Sequence, residues 1–331
     1  MKERFVGSLI GQCLGDALGF VVEGYPAAEC RDYVEDYLRA GRAGALGRAP
    51  FAFGQYTDDS QLARELLQSF VARGRFEPAD YARRLAAIFA EGRIVGRGRT
   101  TEAAALRLAA GVAWQEAGTP APNAGNGSAM RAGPVGLMFH DDEAALARAA
   151  HDQGRMTHAD PRCSAGAVAI AGAVARALRG EVPTPAELAD LAGRYDASVA
   201  AEIGRLDEWL GLAPAQAAPG IARAGLQPGF SDLWDGISPF VTSSVVWSLY
   251  AFLRSPADYW ETVCTAIEVG GDVDTTAAMA GAIGGAYNGL AAVPEEPARR
   301  LTDRGSWGYE ELSDLARKAW ALKADASASR N

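Results

Sequence analysis

Along most of the chain, apolar residues return every third or fourth position rather than every second. In "TSSVVWSLYAFLRSP", Val241, Val245, Leu249 and Leu253 recur at intervals of four, the spacing that gathers side chains on one helix face. "TPAELADLAGRY" carries a start signal, with Thr184 as N-cap, Pro185 at the first helical position and Glu187 placed to close a capping box. "SPADYWETVCTAIEVGG" predicts a similar start at Ser255 and Pro256 and a stop at Gly270 and Gly271. No stretch bounded by turn residues sustains a period of two. The pattern predicts an all-α fold.

Small residues stripe the most apolar helices. Gly7, Gly11, Gly15 and Gly19 recur every fourth residue, and Gly281, Gly284, Gly285 and Gly289 do something similar near the other end. A glycine inside a helix costs about 1 kcal/mol relative to alanine, so such stripes mark backbones in close contact. The expected architecture is a compact helical bundle forming a single domain over residues 1–322. Residues 212–240, rich in Pro, Gly and Ala, read as a loop or insertion, and residues 323–331 as a disordered tail.

Composition narrows the picture. Hydrophobic residues make up 49% of the 331 positions, enough for a sizeable core. A formal net charge of −9 argues against binding nucleic acid by bulk attraction, without excluding a small anion held by local amides. Cys13, Cys30, Cys163 and Cys264 are scattered and form no CxxC pair, which suggests reduced, buried thiols. No apolar run reaches the roughly 18 residues of a membrane span, and Gln12 and Asp16 interrupt the apolar N-terminus that a signal peptide would need. The expectation is a cytoplasmic protein.

Two acidic stretches stand out. "GGDVDTTAAM" sets Asp272 and Asp274 between a glycine pair and a run of small residues; "YTDDSQLARELL" sets Asp58 and Asp59 after Thr57. Each could be a helix start, with Asp58 capping and Gln61 as its partner, or Asp272 or Asp274 capping a helix near Thr275. Together they offer four carboxylates and two threonine hydroxyls, with no His or Cys. That is a donor set for Mg²⁺ or Mn²⁺ rather than zinc. Without a cation, each close carboxylate pair would repel by roughly 4 kcal/mol at an effective dielectric near 20. Spacing alone does not establish that the two stretches meet.

The ordered set "GQCLGDALGFVVEG", "YTDDSQLA", "GNGSAMRAGPVGL", "THADPRCSAGAVAIA" and "GGDVDTTAAMAGAIGGAYNG" resembles the ADP-ribosylglycohydrolases. That family includes the dinitrogenase reductase-activating glycohydrolase and the ADP-ribosylarginine and ADP-ribosylserine hydrolases. The resemblance covers about residues 3 to 292. It implies an orthogonal all-α bundle with a two-metal centre, in which Thr57, Asp58 and Asp59 bind one ion and Asp272, Asp274 and Thr275 the other. By the same match Glu23 lies on a loop over the site and is the candidate proton-handling carboxylate, with a metal-bound aspartate, Asp58 or Asp274, as its rival. Gly125, Asn126, Gly127, Ser128, Met130 and Arg131 approach the ribose and pyrophosphate, and His158 lines the ligand site. The implied reaction is hydrolysis of a ribose C1″ glycosidic bond in an ADP-ribosylated protein, with arginine as the leading acceptor, or in a small molecule. The alternatives are another ADP-ribose conjugate or N-glycoside, or a catalytically silent relative that keeps only the bundle.

Several residues read as structural. Asp16 is expected to be a buried structural carboxylate, the threonines of "RTTEAAALRLAAG" helix caps, and Arg93, Arg97 and Arg99 a solvated face. "TDDS" replaces the family's commoner "TDDT", at Ser60, which is not an expected ligand.

Overall fold

The computed structural model describes residues 1–227 and 234–328. Helices account for the regular structure, and among the described residues only isolated bridges pair extended backbone, such as Ile237 with Gly271. The helix predicted around Val241 spans Val241–Arg254, and Thr184 and Glu187 form their capping box reciprocally. The start expected at Ser255 lies three residues later. Ser255 ends the preceding helix, and Asp258 caps Tyr259–Ile267 by accepting the Glu261 amide. A side-chain acceptor on Asp258 outcompeted the proline signal.

Two helices make the centre. Lys2–Phe20 is buried from Phe5 onward, and Val273–Asn288 is buried through Ala286. They run antiparallel with their small residues facing. A Cβ on Gly7 would lie 2.5 Å from the Gly285 carbonyl oxygen, one on Gly11 2.6 Å from that of Gly281, and one on Gly15 2.1 Å from that of Ala277. No side chain fits there, so the stripes are a backbone-to-backbone seam. Polar bonds pin it: Ser8 Oγ donates to the Ala282 carbonyl and the Tyr259 hydroxyl to that of Gly11.

Two expectations at the edges change. Residues 212–240 contain a helix, Pro214–Ile221, and residues 234–240 return to the centre of the molecule; 228–233 lie outside the described residues. The predicted tail is helical through Ala328, as the last part of Tyr309–Ala328, while residues 329–331 lie outside the described set. Alanines and a lysine favour continuing that helix over the fraying that the Ser-rich end suggested.

Candidate active site

The seam ends where the acidic residues begin. Phe20 closes the N-terminal helix and Glu23 stands in the turn after it, while Asp272 and Asp274 open the facing helix. Gly270 and Gly271 make the approach possible. Both have positive φ, 78° and 94°, and a Cβ on Gly271 would fall 2.1 Å from the Ile237 carbonyl oxygen. The Gly24 amide donates to the Gly271 carbonyl at 2.9 Å, and the Asp272 amide to that of Ile237 at 2.7 Å. The first acidic stretch arrives as the start of Asp58–Arg73.

Neither stretch is a helix cap. Thr57 is the N-cap residue before Asp58, with no side-chain cap bond, and Gln61 spends its amide on Arg93, Val95 and Asp303. The capping is done from another helix. Asp16 accepts the Thr57 amide at 2.9 Å and the Ser60 amide at 3.0 Å, which is the structural role the sequence suggests. Asp272 likewise occupies an N-cap position but takes the Asn126 side-chain amide, at 2.5 Å, instead of a backbone donor. Asp274 Oδ1 accepts the Thr275 amide of its own helix at 2.9 Å, but the rest of this charge is directed elsewhere.

It is directed inward, into one cluster. Carboxylate oxygens of Asp16, Asp59 and Asp274 lie within 4.8 Å of one another, and so do those of Glu23, Asp272 and Asp274. Burial, reinforced by the neighbouring carboxylates, pushes Asp58 and Asp274 well above the usual range. Burial holds Asp272 up at about 7 and Asp59 at about 6, with Thr57 and Thr275 hydrogen bonds easing Asp59 and the Asn126 amide easing Asp272. Glu23 is raised by burial against the opposing pull of Arg48, whose Nη1 lies 3.5 Å from its Oε2.

The cluster fits divalent cations by its own chemistry. Asp59 Oδ1 is buried with no hydrogen-bond partner among the described residues. Thr57 Oγ1 lies 2.9 Å from both Asp16 Oδ1 and Asp59 Oδ2, yet has one proton to give. The donors are all hard oxygens. A buried set this rich in negative charge, short of protons and of cationic side chains, is what a bound metal ion would complete.

A cavity of about 430 Å³ opens onto the cluster. Glu23, Asp58, Asp59, Asp272, Asp274 and Thr275 line it, together with Gly125, Asn126, Gly127, Met130 and His158. Thr57, Ser128 and Arg131 do not. Thr57 sits behind, between Asp16 and Asp59. Ser128 donates to the Cys163 carbonyl, and Arg131, fully buried, bonds Gln153 through Nε at 2.8 Å and Thr157 through Nη2 at 2.7 Å. Both brace the back of the glycine loop. His158 takes Thr157 Oγ1 at Nδ1, 2.8 Å away; burial and the nearby Arg131 charge depress its pKa to about 3, so it faces the cavity neutral.

The other wall was misread in the sequence. Gly96 to Thr101, with Arg97 and Arg99, line the cavity, as do Trp234 and Pro239 from the stretch read as an insertion. Only Arg93 stands elsewhere, paired with Glu91. The threonines cap nothing, because Gly98 holds the N-cap position of Arg99–Ala109. The usable signal was "GRGRTT" itself: basic residues alternating with glycines before a helix start, a pattern suited to an anion.

An all-helical bundle with a carboxylate centre beside a glycine loop defines the class. The model of the ADP-ribosylglycohydrolase family matches residues 1–329, and the chain belongs to that family. It is 30% identical over 343 residues to the ADP-ribosylhydrolase ARH3 of Bos taurus, covering 95% of this chain and 91% of that one. It is 27% identical over 307 residues to the ADP-ribosylarginine hydrolase Tri1 of Pseudomonas putida, covering 89% and 73%. A solved structure described as an ADP-ribosylglycohydrolase-related protein complex superposes with a TM-score of 0.70 at 28% identity, over 97% of this chain and 98% of that one.

Proposed function

We propose that this protein is a metal-dependent hydrolase that cleaves the ribose C1″ glycosidic bond of an ADP-ribosylated acceptor, protein arginine first, and releases ADP-ribose. The observation that carries the reading is the convergence of Glu23, Asp58, Asp59, Asp272 and Asp274 on one cavity walled by the glycine loop. Kinship with an ADP-ribosylarginine hydrolase favours the arginine acceptor.

Breaking the bond develops positive charge at C1″, which a wall of buried carboxylates favours over the neutral ground state. Asp58, Asp59, Asp272, Asp274 and Thr275 would hold Mg²⁺ or Mn²⁺ on the cavity side, with Thr57 supporting Asp59 from behind. When bound, the ions supply fixed positive charge that orients ribose hydroxyls and the attacking water. Glu23 is the proton-handling carboxylate. It is half-buried at the mouth and tethered through Arg48, and burial raises its pKa, which favours the protonated form that a general acid needs. Asn126, bonded to Asp272 and to Ser244 Oγ, fixes the carboxylate's orientation. The four unpaired, buried cysteines accord with a cytoplasmic setting, and no helix among the described residues is long and apolar enough to cross a membrane.

The test is ADP-ribose release from arginine-ADP-ribosylated protein with Mg²⁺, with Mn²⁺ and with EDTA. Metal-dependent release supports the reading. Release from serine-linked substrate alone reassigns the acceptor, and no release from either overturns the reaction.

A further inference from the structure

Outside the cavity, a groove of about 350 Å³ runs between helices Ala27–Tyr33 and Pro214–Ile221, and Trp234 lines both hollows. Small side chains keep it open, Ala27 on one side and Ala218 and Ala222 on the other. Its floor is packed onto the chain that carries Glu23. A Cβ on Gly236 would lie 2.3 Å from the Gly270 carbonyl oxygen, and one on Gly270 2.9 Å from the Ala27 nitrogen. Ala27 is four residues beyond Glu23, so an extended segment crosses from one to the other in about 14 Å at most.

The side chains here are those of an interface rather than of a solvated surface. Tyr25 and Trp234, 43% and 37% exposed, are the only exposed aromatic residues among the described ones, and both stand on segments packed against Gly270. Arg31 and Arg223 line the groove from its two sides, exposed, with no ion pair or hydrogen bond among the described residues. Trp, Tyr and Arg are the residues that anchor protein–protein contacts. Asp235 is the only acid among the described lining residues; Glu29 and Asp32, on the same helix as Arg31, do not line the groove. The lining is thus net positive on a chain whose net charge is −9. Such a lining suits a partner segment that brings carboxylates.

We propose that this groove docks an acidic stretch of the acceptor protein, with Arg31 and Arg223 meeting carboxylates that lie about two to five residues from the ADP-ribosylated side chain. The inference rests on the reading of the cavity as an ADP-ribosyl hydrolase site and adds the acceptor's sequence context to it. The modified side chain enters the cavity past Trp234, while the neighbouring backbone lies along the groove. Tyr25 and Trp234 cover the stretch between, and the two arginines select its charge.

Steady-state hydrolysis by the full chain in Mg²⁺ or Mn²⁺ buffer tests this with three substrates. One is free ADP-ribosyl-arginine, one an arginine-ADP-ribosylated peptide with aspartates flanking the modified residue, and one the same peptide with asparagines in their place. The aspartate peptide is expected to have a KM about 10-fold below that of the asparagine peptide at similar kcat, as two exposed ion pairs allow, and added salt should erase the difference. Arg31→Ala and Arg223→Ala should each give up about 2- to 5-fold of that preference, and Arg31→Glu combined with Arg223→Glu should invert it. Free ADP-ribosyl-arginine should be cleaved at the parental rate by every variant. Equal KM values for the two peptides, or variants that slow the free conjugate as much as the aspartate peptide, overturn the docking role and leave the hydrolase reading intact. So does a dimer, seen by sedimentation, that Arg31→Glu dissociates, since the groove then holds a second copy of this chain. No turnover of any of the three by the parent overturns both readings.

Discussion

Gly19 and Asp274 meet backbone to backbone: a Cβ on Gly19 would lie 2.5 Å from the Asp274 Cα and 2.5 Å from the Val273 carbonyl oxygen. A residue without a side chain thus sets where a cluster carboxylate stands. Gly19→Ala should force the two helices apart, at about 1–3 kcal/mol in stability. Turnover should fall further than stability explains, because Asp274 moves with its backbone. Urea unfolding alongside rate measurements checks this, and an alanine variant with parental rates would show that the contact tolerates relaxation.

Asp274→Asn keeps the shape and removes a charge from the cluster. Metal-dependent turnover should drop by at least ~100-fold, the upper end of what even a supporting residue costs at a metal site. The metal-free protein should hold its stability or gain some, since a raised carboxylate has been made neutral. Unchanged turnover would remove Asp274 from the site.

The pH dependence of the metal-free protein has a definite sign. Asp59 at about 6 and Asp272 at about 7 lie above their unfolded value of 3.8. The folded chain therefore keeps protons that the unfolded chain has released. This stability is fully present below pH 3.8 and is lost as pH rises through 6 and 7. In EDTA the urea midpoint should fall between pH 5 and pH 8. Saturating Mg²⁺ or Mn²⁺ should stabilise the folded chain and flatten that fall. A midpoint that rises over this range in EDTA would contradict the buried-charge account.

Arg131→Lys separates bracing from ligand contact. The guanidinium makes three hydrogen bonds, to Gln153 Oε1, the Gln153 carbonyl and Thr157 Oγ1, which lysine's single ammonium cannot reproduce. The variant should lose about 2–4 kcal/mol in thermal or urea unfolding. Weaker ligand binding should follow from the shift of Thr157 and His158. Lost affinity at parental stability would instead place Arg131 in contact with the ligand.

Much of the fold was legible because helix periodicity and small-residue stripes are local signals. Val241 to Leu253 and the Thr184 capping box needed no partner to be read. The acidic pair sites were legible as chemistry but not as geometry, since nothing near Asp58 says that Asp272 will face it. Asp16 shows why: its partners lie 41 and 44 residues away, and its role as a cap for another helix leaves no trace in its own surroundings. Arg97, Arg99 and Thr101 were missed because a cavity wall and a solvated face share one composition. Trp234 and Pro239 were missed because a Pro- and Gly-rich stretch looks like a surface excursion until its far end returns to the cavity.

The central seam repeats every fourth residue on the N-terminal helix and nearly so on its partner, and this has a consequence for assembly. Sliding one helix past the other by a turn would again set small residue against small residue, Gly11 now facing Ala277 and Gly7 facing Gly281. Such a slip would carry Asp274 about 5.4 Å from its place beside Glu23 and Asp59. Shape weighs against the slip mainly where Val273 would replace Ala277 opposite Gly15, and elsewhere tells the two alignments apart poorly. The choice falls to the directional bonds of Ser8 and Tyr259 and to whatever neutralises the carboxylates, so a divalent ion would act as a vernier, reading the offset of two nearly periodic scales and locking one coincidence.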